Sequence, residues 1–195
     1  MSPPQVLIIS GSTSRKSATR DLLKHIAGRL QASGATVDLL DLAEEALPLF
    51  NPDSCYTAAH YMPLQNRVNK ADVLLIGTPD YHGTMSSAAK NFLDHFWKEY
   101  TGKLFAMVVA SQDRGLTVVD HLRTVARQCY AWTLPYAVTF AEKTDMKEGQ
   151  IVSDGLRERV EMLVRDLRIY GELLARQRSA DLAGTDPGFL ARSRH

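Results

Sequence analysis

The chain has 195 residues, the length of one globular domain, and its hydrophobic and charged fractions, 45% and 23%, are those of an ordinary soluble protein. A formal net charge of +1 excludes the broad positive field with which proteins attract nucleic acids or anionic lipids. No apolar stretch approaches the ~20 residues of a membrane span, and the N-terminus lacks the pattern of a secretory signal. We therefore expect a cytoplasmic protein with no nucleic-acid or membrane partner.

Five short apolar runs recur along the chain, and most are continuous rather than alternating. Such runs are typical of strands buried on both faces, and hence of a parallel sheet covered by helices. They are "VLIIS" (6–10), "TVDLLDL" (36–42), "ADVLLIGT" (71–78), "KLFAMVVAS" (103–111) and "TLPYAVTF" (133–140).

Segments with apolar residues at helical spacing lie between these strands and after the last one, so strand and helix alternate five times. The pattern predicts a doubly wound α/β domain over residues 1–178, with a five-stranded parallel sheet in the flavodoxin-like order 2-1-3-4-5 and helices on both faces. Residues 179–195 form a polar tail, which we expect to dock on a partner subunit through Phe189 and Leu190. The predicted helices span 17–32, 54–69, 86–98, 115–130 and 154–178.

The loop after the first strand, "SGSTSRKSATR" (10–20), is rich in hydroxyl groups and cations. The next helix starts near Ser17, so its free N–H groups and dipole point into this loop. Together with Arg15 or Lys16, these donors predict a phosphate site at a helix N-terminus. The alternative is that Ser14 or Ser17 is a plain helix cap and the cations face water. The spacing matches neither the nucleoside-triphosphate nor the Rossmann glycine motif.

Two further loops follow strands that end at the same predicted sheet edge. In "GTPDYHGTMSSAAKNFLDHF" (77–96), Gly83 would let the backbone approach a flat ligand, and Tyr81 and His82 could flank or stack on its ring. In "ASQDRGLT" (110–117), Ser111 and Gln112 could meet the polar edge of a heterocycle. The alternative for residues 77–96 is a turn followed by a buried amphipathic helix. The alternative for residues 110–117 is an ordinary strand–helix turn.

No nucleophile–base pair is evident, because the internal histidines outside the 77–83 loop, at 25, 60, 95 and 121, fall inside helical stretches. The cysteines, Cys55 and Cys129, lie in unrelated contexts, and reduced thiols are expected. No Cys/His spacing of a metal motif appears, so no metal site is expected. The absence of protein acid–base groups suits a site where a cofactor carries the chemistry.

The sequence resembles the NADPH-dependent FMN reductase family of short flavodoxin-like proteins over roughly residues 5 to 140. The first loop matches the family's phosphate loop, with Thr13 where proline is usual. The second motif resembles Thr-Pro-x-Tyr-x-Gly followed by Lys-Asn-x-x-Asp. The matching positions are Ser10, Gly11, Ser12, Ser14, Ser17 and Thr19 in the first motif, and Thr78, Pro79, Tyr81, Gly83, Lys90, Asn91 and Asp94 in the second.

The resemblance implies that FMN lies across the carboxyl edge of the sheet. The residues expected to hold its phosphate are Ser10, Ser12, Ser14, Arg15, Ser17, Ala18 and Thr19. Those expected at its ring are Thr78, Pro79, Asp80, Tyr81, His82, Gly83, Ser111, Gln112 and Gly115.

The resemblance also implies that NADPH or NADH reduces the flavin, which then reduces a quinone, an azo compound, a metal oxyanion or free FMN for a monooxygenase. One face serving both substrates implies ping-pong kinetics. A homodimer or homotetramer is expected, with Phe96 and Trp97 as a candidate contact or as core. The alternatives from other classes are a flavodoxin-like electron carrier without nicotinamide turnover and a flavin-free binding domain. The near-neutral charge and Arg15 disfavour the carrier.

Overall fold

The structure is a computed structural model, and it describes residues 3–194. Its centre is a parallel sheet in the order β2-β1-β3-β5, with β6 and β7 both beside β5. These strands are β1 (Gln5–Ser10), β2 (Thr36–Asp41), β3 (Val73–Tyr81), β5 (Leu104–Ala110), β6 (Trp132–Thr133) and β7 (Val138–Phe140). The predicted flavodoxin-like α/β class is therefore confirmed, and the strand order differs from the prediction only slightly.

The fifth strand position differs from the prediction, since two short strands occupy it instead of one. Pro135 lies between β6 and β7, and proline has no N–H group to donate to a neighbouring strand. Two short antiparallel pairings were also not predicted: β4 (Thr84–Met85) pairs with the end of β3, and β8 (Met146–Lys147) pairs with β9 (Gln150–Ile151). These elements are too short to leave an alternating pattern in the sequence.

Two layers of helices cover the sheet because its central strands β1, β3 and β5 are apolar on both sides. Leu7 and Ile9 of β1 face the core beneath α2, α3 and α4, whereas Val6 and Ile8 face the core beneath α1 and α6. The helices are α1 (Ala18–Ala32), α2 (Tyr61–Lys70), α3 (Ser87–Asp94), α4 (Leu116–Gln128), the short α5 (Glu142–Asp145) and α6 (Asp154–Ala183).

The middle helices are shorter than predicted, and the last is longer. Of the helix predicted over 54–69, the first seven residues contain only a 3-10 turn, Cys55–Thr57, and α2 begins at Tyr61; α3 ends at Asp94 rather than near 98. Phe96 is buried, whereas Trp97 is exposed. Within residues 3–194, no helix is both long enough and apolar enough to cross a bilayer.

The C-terminal tail folds back on its own chain. Leu190 is buried, and its side chain lies so close to Gly102 that a Cβ there would meet it at 3.0 Å. Phe189 packs edge-on against Trp132, with ring centroids 6.1 Å apart. The expectation that Leu190 docks on a partner subunit is therefore wrong, because that side chain is already covered within the protomer.

Candidate functional site

A cleft of about 250 Å³ lies at the carboxyl end of the sheet, where the three predicted loops meet. Such crevices at the switch in strand order are the usual ligand sites of doubly wound folds. Its lining residues come from the first loop, from the end of β3, from the loop after β5 and from α5. They are Ser12, Ser14, Lys16, Ser17, Ala18, Thr19, Pro79, Asp80, Tyr81, Ala110, Ser111, Gln112 and Glu142.

The first loop presents the N-terminus of α1 to this cleft. Ser17 is the helix cap, and its Oγ accepts a hydrogen bond of 3.1 Å from the N–H of Arg20. The N–H groups of Ala18 and Thr19 precede that bond and have no acceptor within the helix. A hydroxyl that accepts at its oxygen still has a proton to donate. The capping interpretation of Ser17 is therefore correct and is compatible with anion binding.

Arg20 holds the first loop in shape, and sequence reasoning missed this role. Its buried guanidinium forms an ion pair with Asp41 at the end of β2. It also donates to the backbone carbonyls of Ser12 at 3.2 Å, Ser14 at 3.0 Å and Arg15 at 3.4 Å. One side chain thus ties three loop carbonyls to the neighbouring strand. In the sequence, the carboxylate of Asp41 at the end of a strand is a weak indication of an ion pair. No sequence pattern connects it to Arg20.

Tight packing joins the first loop to the third. A Cβ on Gly11 would meet the Cβ of Ala89 in α3 at 2.8 Å, so only glycine allows this approach. Ser86 caps α3 and donates its hydroxyl to the Gly11 carbonyl. Thr78 is fully buried, and its Oγ1 accepts from the N–H of Ser86 at 2.9 Å. Thr78 therefore shapes the loop and does not line the cleft.

The third loop is a hairpin turn between β3 and β4. His82 and Gly83 lie between the paired residues Tyr81 and Thr84, and both have positive φ, 57° and 78°. Two such residues are typical of a type I′ turn, which favours glycine. Asp80 fastens the turn, since its Oδ1 accepts from the Gly83 N–H at 2.8 Å and its Oδ2 accepts from the Ser111 hydroxyl at 2.8 Å. The turn leaves the Tyr81 side chain half exposed beside the cleft.

Several predicted site residues lie outside the cleft lining. Ser10 is fully buried, and its Oγ has no hydrogen-bond partner among residues 3–194. Arg15 is exposed, and Lys16 lines the cleft in its place. Gly115 caps α4 at a positive φ of 61°, packed against Val109. The turn described above is formed by His82 and Gly83, and Thr78 accepts a hydrogen bond that shapes the same loop. Their predicted contacts with a flavin stay predictions.

Lys103 is a buried cation with a lowered pKa, but it does not line the cleft. Removal from water lowers its pKa to about 7, with a further lowering from nearby Arg178. Its Nζ donates to the carbonyls of Val68 at 2.7 Å and Asn69 at 3.0 Å, and to that of Ala71, at the end of α2. These are carbonyls that a helix end leaves without partners. Lys103 is therefore a structural cap and not a catalytic group.

We expect Gly83→Val to weaken flavin binding about tenfold. A β-branched residue is strained at a φ of 78°, and its Cβ would meet Thr117 Oγ1 at 3.3 Å, so the turn that presents Tyr81 must change. The matched control is Gly34→Val, the same substitution at a positive φ of 94° outside the cleft lining, which should bind normally. Flavin titration followed by fluorescence measures both. Equal binding by Gly83→Val, with an unchanged circular dichroism spectrum, would contradict the placement of the ring at this turn.

The chain matches the family model described as NADPH-dependent FMN reductase over residues 4–145. It is 31% identical over 137 residues to an FMN-dependent NADPH-azoreductase of Staphylococcus haemolyticus, covering 66% of this chain and 72% of that protein. It is 26% identical over 170 residues to an NADPH azoreductase of a Bacillus species, strain OY1-2, covering 85% of this chain and 92% of that protein.

Solved structures agree on the fold. The flavoenzyme NAD(P)H:(acceptor) oxidoreductase FerB of Paracoccus denitrificans superposes with a TM-score of 0.72 at 18% identity, covering 87% of this chain and 97% of that one. The apo form of the NADH:FMN oxidoreductase EmoB superposes with a TM-score of 0.69 at 19% identity, covering 86% of this chain and 89% of that one. The family model spans most of the chain, including the first and third loops and the strands that carry them. The chain therefore belongs to the NADPH-dependent FMN reductase family, with FMN as its cofactor and NAD(P)H as its electron donor.

Proposed function

We propose that the cleft holds FMN with its phosphate at the first loop and its ring between the third and fourth loops, and that the reduced flavin passes electrons to an azo compound or a quinone. The observation that carries this proposal is the convergence of a helix N-terminus with hydroxyl groups, Lys16, Tyr81 and Ser111 on one cleft. This donor set fits a phosphate, because N–H and O–H groups and one cation all face it.

Each loop has a separate task in this proposal. The N–H groups of Ala18 and Thr19 and the hydroxyls of Ser12 and Ser17 would bind the phosphate oxygens. Arg20 keeps the loop carbonyls turned away from the phosphate by bonding them itself. The backbone of 79–83 would hold the ring edge, and the Asp80–Ser111 hydrogen bond fixes the distance between the third and fourth loops. FMN itself would supply hydride transfer from NAD(P)H and onward electron transfer.

A second cavity of about 570 Å³ adjoins the cleft at Tyr81, which lines both. Its walls come from the β4 turn, α3 and α4, and its polar groups include Lys90 and His121. We propose that NAD(P)H and the acceptor enter here in turn and meet the same exposed face of the ring. Because one space would serve both substrates, ping-pong kinetics are expected. Acceptors with flat aromatic rings suit the largely apolar walls, which include Met85 and Val125.

We expect the purified protein to bind about one FMN per chain and, when loaded, to oxidise NADPH or NADH with an azo dye or a quinone as acceptor. Flavin absorbance gives the stoichiometry, and loss of nicotinamide absorbance with each acceptor gives the rates. Parallel lines in double-reciprocal plots would support the shared space. FMN binding without nicotinamide oxidation would contradict the reductase proposal and favour the electron carrier. No flavin binding would contradict both.

We also propose that the protein is a homo-oligomer. A surface with large exposed aromatic side chains favours subunit contact, because such patches are uncommon on monomers. This surface consists of Trp97, Tyr130, Trp132 and Phe189, which are between 42% and 60% exposed. The first three lie beside the folded-back tail, which keeps Phe189 in place. Sedimentation velocity of the full chain measures the mass, and a monomer at micromolar concentration would contradict the proposal.

A further inference from the structure

A cysteine and two histidines meet outside the flavin cleft, between the 3-10 turn that precedes α2 and the end of α3. The Cys55 Sγ and a ring nitrogen of each of His60 and His95 all lie within 4.8 Å of one another. Cys55 and His95 are buried, whereas His60 is partly exposed. None of the three lines the cleft or the cavity beside it. The function proposed above therefore does not involve these three side chains.

The hydrogen bonds of His95 prepare its ring for a metal. Its Nδ1 lies 2.7 Å from the backbone carbonyl of Asn91, which can only accept, so Nδ1 carries the proton. In the neutral ring, Nε2 is then an unprotonated nitrogen, and it points at the Nε2 of His60, 3.2 Å away. Histidines that bind metals commonly donate their other N–H to a carbonyl in this way, which orients the ring.

The distance between the two histidine nitrogens matches a tetrahedral cation. Two nitrogens bound to Zn²⁺ at 2.0–2.1 Å are about 3.3–3.4 Å apart, close to the observed 3.2 Å between the two Nε2 atoms. Thiolate and imidazole are ligand types that Zn²⁺ prefers in proteins, and the three side chains leave a fourth tetrahedral position for water. No carboxylate belongs to the group, which disfavours Mg²⁺ and Ca²⁺.

We propose that Cys55, His60 and His95 form a Zn²⁺ site. On binding, the thiol proton of Cys55 leaves to solvent, and neutral His60 carries its one ring proton on Nδ1, so that the Nε2 atoms of both histidines are free to bind the cation. The bound ion would join the long connection after β2 to the C-terminal end of α3. That connection already depends on α3, since the Asn91 side chain accepts from the Phe50 N–H at 2.7 Å and donates to the Pro48 carbonyl at 2.9 Å. The bound ion would therefore stabilise the packing of this connection on α3.

The test uses the full-length chain without an affinity tag, freed of metal with a chelator and loaded with FMN. We expect one Zn²⁺ to bind per chain in competition with a chromophoric chelator, and to raise the unfolding temperature. Co²⁺ should bind at the same site and give the visible bands of a tetrahedral ion together with a thiolate-to-cobalt absorption in the near ultraviolet. That absorption identifies a cysteine ligand, which binding at surface histidines would not produce.

Cys55→Ser should abolish the thiolate absorption and weaken Zn²⁺ binding at least about 100-fold, more than loss of an outer contact costs. The matched control is Cys129→Ser, the same change at the other buried free cysteine. This variant should leave the thiolate absorption and the Zn²⁺ affinity unchanged. If Cys55→Ser does not fold, His60→Gln changes a partly exposed ligand and should weaken binding comparably while keeping the thiolate band. Absence of micromolar Zn²⁺ binding, or a thiolate band that survives in Cys55→Ser, would overturn the proposal and leave a hydrogen-bonded histidine pair.

Discussion

We expect the protein to bind FMN at least about 100-fold more tightly than riboflavin, because the phosphate is the only difference between the two flavins. Each charge-assisted hydrogen bond to a phosphate oxygen contributes roughly 1.5–3 kcal/mol. Two or three such bonds from the first loop, discounted for the lost hydration of the phosphate, leave a preference of about 100-fold for FMN, since ~1.4 kcal/mol of binding free energy corresponds to a tenfold change in affinity. A fluorescence-quenching titration of both flavins measures the ratio. If riboflavin binds as tightly as FMN, the first loop does not hold a flavin phosphate.

Substitutions in the first loop assign the discrimination to particular groups. Ser12→Ala removes a hydroxyl that lines the cleft, and it should weaken FMN binding while leaving riboflavin binding nearly unchanged. The matched control is Thr13→Ala, which removes an exposed hydroxyl from the same loop and should change neither affinity. Ser17→Ala also removes a helix cap worth about 1 kcal/mol, so its stability must be measured beside its affinity.

We expect Arg20→Met to lower the free energy of unfolding by about 3–5 kcal/mol and to weaken FMN binding more than tenfold. The substitution leaves the buried Asp41 carboxylate without its partner, and removal of one member of a buried ion pair has effects of this size. It also leaves the carbonyls of Ser12 and Ser14 without their donor, so the phosphate loop loses its shape. Urea unfolding and FMN titration measure the two effects.

A double substitution separates stability from binding. Arg20→Met with Asp41→Leu removes both charges, so it should recover part of the stability that Arg20→Met loses. It should not recover FMN affinity, because the loop carbonyls still lack a donor. The matched control is Arg29→Met, since Arg29 forms an ion pair with Glu161 on the exposed surface, and that variant should stay close to the wild type in both measurements. Full FMN affinity in Arg20→Met would contradict a positioning role for this arginine.

Local patterns were enough to predict the class of the fold. The continuous apolar runs and the helical stripes between them predicted the parallel sheet and the start of α1 at Ser17, because strands buried on both faces are apolar along their whole length. Short elements left no such trace. The break at Pro135 and the two-residue strand β4 depend on which backbone groups find partners across the sheet, and those partners are distant in the chain.

The sequence by itself also indicated which loops form the cleft, since the carboxyl ends of parallel strands meet at one edge whatever their side chains. Only the tertiary structure decided which residues of those loops face the ligand and which hold the loops in place. Lys16 and not Arg15 lines the cleft, and Arg20 binds Asp41, 21 residues away. Likewise Cys55, His60 and His95 meet only because the connection after β2 packs on the end of α3. Pairings of this kind follow from how elements pack in space, and a single sequence carries no local pattern for them.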